Sequence, residues 1–249
     1  MCGRYSLAVA PDVLMQHFEL SLEVEEATLA MLTPRYNIVP SQAVLAVVAP
    51  EPDGDPPRRR ATHFQWGLIP SWNKAPKAGL INARSETVAE KPSFRTAFRR
   101  RRCLIPADGF YEWAMAMPPS SSGQDMGKQS KQPYWFHLRE QPVFAFAGIW
   151  ERWQSPEGTE LETCAILNTT ANRLMQPLHE RMPVILAEPA YDRWLDPQVQ
   201  DPNLLLPLLR PYPSEAMEAY PVSTHVNNPR HEDPACRDPI GDPLLASDS

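Results

Sequence analysis

Cysteine is scarce in this sequence and nowhere paired. Cys2, Cys103, Cys164 and Cys236 are the only four in 249 residues, with no CxxC step and no metal-ligand spacing to a histidine. Neither a disulfide framework nor a zinc site is indicated, so reduced thiols and no metal or other cofactor are expected. Long apolar runs are missing too. No stretch approaches the roughly 18 consecutive apolar residues of a membrane span, and the start lacks the basic residues and apolar run of a secretory signal. A cytoplasmic protein without membrane contact is expected, associated with the nucleoid if the cell is bacterial. There is no Gly/Ser linker, no internal repeat and no strand–helix alternation, which argues against two domains, a solenoid and a doubly wound parallel sheet. No coiled coil or long exposed apolar helix is visible, so a monomer is expected.

What is present is a globular composition, 43% hydrophobic and 22% charged, with 29 prolines that favour loops and interrupted elements. Apolar spacing predicts a short helix over 11–20 and strands over 43–49 and 63–68, with the Pro-rich break carrying Arg58, Arg59 and Arg60 as a solvated tip. A helix over 93–102 would turn Phe94, Ala97 and Phe98 inward. Strands are expected at 103–105, 110–114, 134–138, 143–150, 163–167 and 184–187, and short helices in "TTANRLMQPLH" and near 190–195. The low-complexity stretch of 115–132 reads as a mobile loop. Many short strands with hairpin-length gaps make an α+β single domain on a curved, largely antiparallel sheet with short flanking helices.

The net charge of −6 is unevenly spread. Arg84, Lys91, Arg95 and Arg99 to Arg102 face only Glu86 and Glu90 in their stretch, whereas the chain beyond residue 187 is strongly acidic. A basic groove is therefore compatible with an acidic total, because the local field governs partner binding.

Cys2 raises the sharpest question. Removal of Met1 would leave it with a free α-amine and a thiol on one residue, a 1,2-aminothiol that reacts with aldehydes; buried, it would be an ordinary small hydrophobe. Three further stretches place polar groups where strands or turns prefer apolar ones. In "INARSET", Asn82 and Arg84 project from one strand face, as substrate contacts or as a plain surface strand end. In "DGFYEW", Glu112 lies among aromatics, either a desolvated general acid/base or an exposed residue of an amphipathic strand. In "LHERMP", His179 could shuttle a proton and Arg181 hold an anion, or both could be structural.

Together with "RYNIVPSQ", "WGLIPSW", "FAGIWE", "ILNTTAN" and "PVSTHVNN", these stretches run in order from about residue 2 to 228 and resemble the SOS-response-associated peptidase family, whose members protect abasic sites in single-stranded DNA. The resemblance implies a barrel-like fold over 2–230, and the polar, Pro-rich stretch 231–249, which carries no motif, reads as a loosely packed tail. It implies that Cys2, freed of Met1, forms a thiazolidine with the abasic aldehyde, that Glu112 moves protons, that His179 assists sugar-ring opening and that Asn82 positions Cys2. Arg4, Arg84 and Arg181 would contact phosphates, and Asn37, Pro40, Trp72 and Asn168 would line the DNA channel. Two other readings of the same residues are a Cys2-dependent thiol autopeptidase or amidohydrolase, and a single-stranded DNA-binding module in which Cys2 is incidental.

Overall fold

The computed structural model describes residues 2–20, 32–49, 59–74, 76, 78–115 and 131–244. In chain order the elements are β1 (Tyr5–Leu7), α1 (Pro11–His17), β2 (Arg35–Ile38), β3 (Ala43–Val48), β4 (Arg60–Trp66), β5 (Asn82–Arg84), α2 (Arg95–Arg100), β6 (Arg102–Ala107), β7 (Gly109–Met115) and β8 (Lys131–Leu138). There follow β9 (Phe144–Gln154), β10 (Glu160–Thr170), β11 (Arg181–Pro183), β12 (Ile185–Leu186), α3 (Tyr191–Leu195), α4 (Pro202–Leu205) and β13 (Met217–Pro221).

One sheet runs β13-β8-β7-β1-β2. In the other, β10-β4-β3-β6-β9 closes on itself because β9 and β10 form a long antiparallel hairpin, Glu160 opposite Gln154 through Ile166 opposite Gly148. The fold is thus α+β around a closed five-stranded barrel, and closure removes the exposed edges of those strands. Burial follows from position. Every residue of β6 is buried, as a strand covered on both faces requires, whereas β8 alternates between buried and wetter positions. Aromatic edges join the two sheets: Tyr5 of β1 meets Trp66 of β4 at 5.4 Å and Phe146 of β9 at 5.7 Å, and Phe110 of β7 meets Phe146 at 6.0 Å.

Several expectations are corrected. The helix over 93–102 is shorter, because Arg102 turns into β6, and all five of its guanidinium N–H groups find carbonyls. Nε donates to Trp194, Nη1 to Phe98 and Arg99, and Nη2 to Asp196 and Val199. It thereby satisfies carbonyls at the ends of α2 and α3 that the helices leave open. The stretch "TTANRLMQPLH" ends β10 with its two threonines and then forms turns rather than a helix: Asn172 accepts from the Met175 N–H, and Pro177 cannot continue the helical ladder. The strand over 184–187 is only β12, and β11 comes before it, since at Val184 the chain changes partner, donating to Leu167 of β10 and accepting from Ala147 of β9. Arg59 is no solvated tip. It is buried, paired with Asp192 at 2.8 Å and laid over Tyr191, while Arg58 lies outside the described residues.

The expected loop over 115–132 begins and ends in β7 and β8, and its interior lies outside the described residues. The expected loose tail is held down as far as residue 244. Glu232 accepts the Asn37 N–H at 2.8 Å, Cys236 is fully buried, Arg237 pairs with buried Asp108 at 2.9 Å, and Leu244 bridges to Ala219 of β13. Polar and proline-rich composition concealed these scattered anchors. All four cysteines are free and buried, and among the described residues no helix is long and apolar enough to cross a membrane.

Candidate active site

The site forms where the first residues of the chain meet the far half of β10. β1 pairs antiparallel with β7, Tyr5 opposite Phe110, and the Tyr111 N–H donates to the Arg4 carbonyl. This register runs the start of the chain alongside Glu112. Past the point where β10 leaves the barrel seam it takes two short partners, β5 in parallel (Ile166 opposite Asn82, Asn168 opposite Arg84) and β11 in antiparallel register. Those partners deliver Asn82, Arg84 and Arg181 to one place.

Asn82 donates through Nδ2 to the Cys2 carbonyl at 2.8 Å. Cys2 is fully buried, its Sγ 3.8 Å from the Arg4 carbonyl. Burial, and then the charge of Glu112, push its thiol up to about 12. Glu112, only 6% exposed, is raised above the ordinary carboxylate range by burial, an effect that His179 opposes in part when its ring is protonated. Cys2, Glu112 and His179 are therefore electrostatically coupled in sequence. His179 accepts at Nδ1 from the Arg181 N–H at 2.9 Å, so the neutral ring carries its proton on Nε2.

Arg181 binds Asn168 through Nε and Nη2, and its Nη1 and Nη2 grip Glu86 at 2.6 and 2.8 Å in a bidentate pair. Asn168 is buried, and its Nδ2 finds no partner among the described residues, nor does the buried Oδ1 of Asn82. Arg4 donates to the Asn37 Oδ1 and to the Val226 carbonyl and lies over the Trp113 ring at 5.4 Å. Asn37 is fully buried; its Nδ2 is spent on the carbonyls of Val226, Asn228 and His231. It supports Arg4 and presents no amide to a channel.

Cys2, Asn82, Glu112, His179, Asn168 and Arg181 are thus one connected set, and Arg4 and Asn37 a second, beside it through β1. Arg84 is exposed, in register with Asn168. Pro40, in the turn after β2, and Trp72 share no hydrogen bond or ring contact with the others among the described residues. Trp72 is 62% exposed, on a loop pinned where the Trp153 Nε1–H donates to the Asn73 carbonyl at 2.6 Å. The base of that loop requires glycine: a Cβ on Gly79 would stand 2.2 Å from the Gly67 oxygen, and Gly67 has φ +137°. Sequence reading passed over Glu86 and Trp113. Glu86 was signalled by being an acid two residues beyond Arg84, and Trp113 by adjoining Glu112.

A closed barrel beside which a buried Cys2, a desolvated glutamate and a histidine come together defines a fold-and-site class, and this chain belongs to the SOS response associated peptidase (SRAP) family, whose sequence model matches residues 1–229. It is 41% identical to the abasic site processing protein YoqW of Bacillus subtilis, over 94% of this chain and 97% of that one. It is 33% identical to the abasic site processing protein HMCES of Rattus norvegicus, over 83% of this chain and 65% of that one. A crystal structure of a protein from Bacteroides thetaiotaomicron has the same fold, with a TM-score of 0.78 at 26% identity, covering 96% of this chain and all of that one.

Proposed function

We propose that this protein binds single-stranded DNA and crosslinks to abasic sites through a thiazolidine made by the α-amine and thiol of Cys2 once Met1 is removed. The observation that carries the reading is the buried Cys2, held by Asn82 through its carbonyl and coupled through Glu112 to His179. The names of the relatives support the substrate class.

The chemistry follows from those positions. His179, its Nδ1 occupied, passes its Nε2 proton to the sugar ring oxygen while the C1′ hydroxyl proton returns to Nε2 through water, so the deoxyribose opens to its aldehyde with no net proton change. The Cys2 amine, with a reference pKa of about 7.7–8.0, is partly neutral near pH 7 and attacks C1′. Glu112, its pKa raised by burial, protonates the departing hydroxyl, and one water leaves as the imine forms. The thiol then adds to the carbon of the protonated imine: the C–S bond forms, the S–H proton passes to the Glu112 carboxylate, and the ring nitrogen keeps the one amine hydrogen left to it. The sum is protein plus aldehyde minus one water. A thiol pushed up to about 12 stays protonated until a base takes its proton, which suits a second-step nucleophile assisted by Glu112.

DNA would be held by Arg4, Arg84 and Arg181 at phosphates and by Trp72 as a stacking face. The unpartnered Asn82 Oδ1 and Asn168 Nδ2 supply one acceptor and one donor for sugar hydroxyls. In the test, the mature protein is incubated with single-stranded DNA holding one abasic site, and the products are read on a denaturing gel and by mass. A denaturation-resistant adduct at the mass of the sum minus water is expected. Cys2→Ser should lose it while keeping DNA affinity. An undiminished adduct from Cys2→Ser, or from protein retaining Met1, overturns the mechanism.

A further inference from the structure

Outside that site, the final described stretch of chain brings together three side chains that sequence spacing does not associate. His225 lies in the turn Thr224–Asn227, Asp233 caps the turn Pro234–Cys236, and Cys236 ends it. One ligand atom from each falls within 4.8 Å of the other two. We propose that His225, Asp233 and Cys236 form a binding site for one divalent metal ion of the zinc class.

The donor set decides the class of ion. Imidazole nitrogen, carboxylate oxygen and thiolate sulfur suit zinc and its borderline neighbours, and not the all-oxygen shells of calcium or magnesium. The three groups are held ready by their surroundings. Asp233 spends Oδ1 on the Ala235 N–H at 3.0 Å, so Oδ2 is left to face His225 Nε2 at 2.9 Å. The His225 backbone N–H is capped by the Ser223 hydroxyl, and its ring stacks on His231 at 3.8 Å, while His231 Nδ1 bonds the His225 carbonyl at 2.8 Å. Cys236 is fixed through its N–H to the Asp233 carbonyl.

Metal–ligand distances of about 2.0–2.3 Å separate ligand atoms in a tetrahedron by roughly 3.3–3.7 Å. The 2.9 Å His225–Asp233 contact and the 4.8 Å limit of the cluster bracket that spacing, so small side-chain rotations complete the site. The entering ion takes the place of the His225–Asp233 hydrogen bond and of the Cys236 thiol proton, which is released to solvent. Three protein ligands leave a fourth position for water. The same residues do not make a nucleophile, because the Cys236 sulfur is fully buried and directed at the His231 carbonyl, 3.5 Å away. The Val226 carbonyl, next to His225, accepts from both Arg4 and Asn37. An ion here would brace the segment that holds Arg4, and the site exists whether or not Cys2 crosslinks DNA.

The test uses the full chain in a Cys2→Ser background, so that the N-terminal thiol contributes no ligand. Cobalt(II) is titrated as the spectroscopic probe and zinc is then added in competition. One equivalent of cobalt is expected, with a thiolate-to-metal charge-transfer band in the near ultraviolet that zinc abolishes. Adding Cys236→Ser should remove the band. Asp233→Asn keeps the helix-type cap and should weaken cobalt binding at least tenfold, a readout that stands if Cys236→Ser does not fold. Absence of the band, its survival in folded Cys236→Ser, or unchanged affinity in Asp233→Asn overturns the proposal.

Discussion

Glu112 lies in β7 between Tyr111, which is fully buried, and Trp113, and is itself nearly so. An exposed position on an alternating strand was the competing expectation. It fails because both faces of this part of β7 are covered: Tyr111 and Trp113 pack against the segment around Val226, and Phe110, on the Glu112 face of the strand, meets Phe146 of the barrel. Burial raises the carboxyl pKa, so the folded protein binds this proton more tightly than the unfolded chain does. Its ionisation therefore opposes folding: the stability penalty is absent below the unfolded carboxylate range and grows as pH rises through the folded value. Glu112→Gln should accordingly melt at a higher temperature than wild type at pH 8, with the gap closing towards pH 4, in thermal unfolding followed by circular dichroism. The same variant should lose about 10²–10⁴ in crosslinking rate, the span typical of a lost general acid/base. A variant that melts lower at pH 8 than wild type contradicts the raised carboxyl.

Among the elements, the short ones carry the site. β5 and β11 are three residues each, too brief for periodicity to reveal, and both are recruited by the buried far half of β10. The segment after residue 231 behaves likewise. Its hold on the fold runs through Arg237, which pairs with buried Asp108 and lies over the Tyr36 and Trp135 rings at 5.0 and 5.6 Å. Asp108 also accepts from Ser6 Oγ and the Ala8 N–H, so losing the arginine strands a charge that keeps some of its partners. Arg237→Ala should cost about 1–3 kcal/mol, read as a lower urea midpoint with an unchanged slope. A shift of under about 0.5 kcal/mol would show that this segment is not clasped through Arg237.

At the scale of the molecule, a net charge of −6 coexists with a basic cluster whose members have different duties. Arg102 is buried on carbonyls and Arg101 pairs with Glu151 at 2.6 Å, so neither adds to an outward field, while Arg84, Lys91, Arg95, Arg99 and Arg100 remain exposed. If Arg84 meets a phosphate, Arg84→Ala should lessen the slope of log affinity for single-stranded DNA against log salt by about 0.7. Glu86 occupies the edge of Arg181 that a phosphate would take. Glu86→Gln should therefore tighten single-stranded DNA binding several-fold at low salt, measured by fluorescence anisotropy, whereas weaker binding would assign Arg181 a purely structural role.

By itself the sequence determined the α+β class, the strands of the barrel and the identity of the unusual polar residues. Alternating and continuous apolar runs report burial directly, and Cys2, Asn82, Glu112 and His179 stand out against them. Tertiary structure alone decided that Arg59 and Arg102 are interior, that Asn37 serves Arg4, that Glu86 holds Arg181, and that His225, Asp233 and Cys236 meet. All but the last are long-range pairings of a charged or polar group with a distant carbonyl or carboxylate, and the last depends on two turns folding back within twelve residues. Local patterning carries no record of such partners, because burial of a polar group is permitted only by what the rest of the chain brings to it.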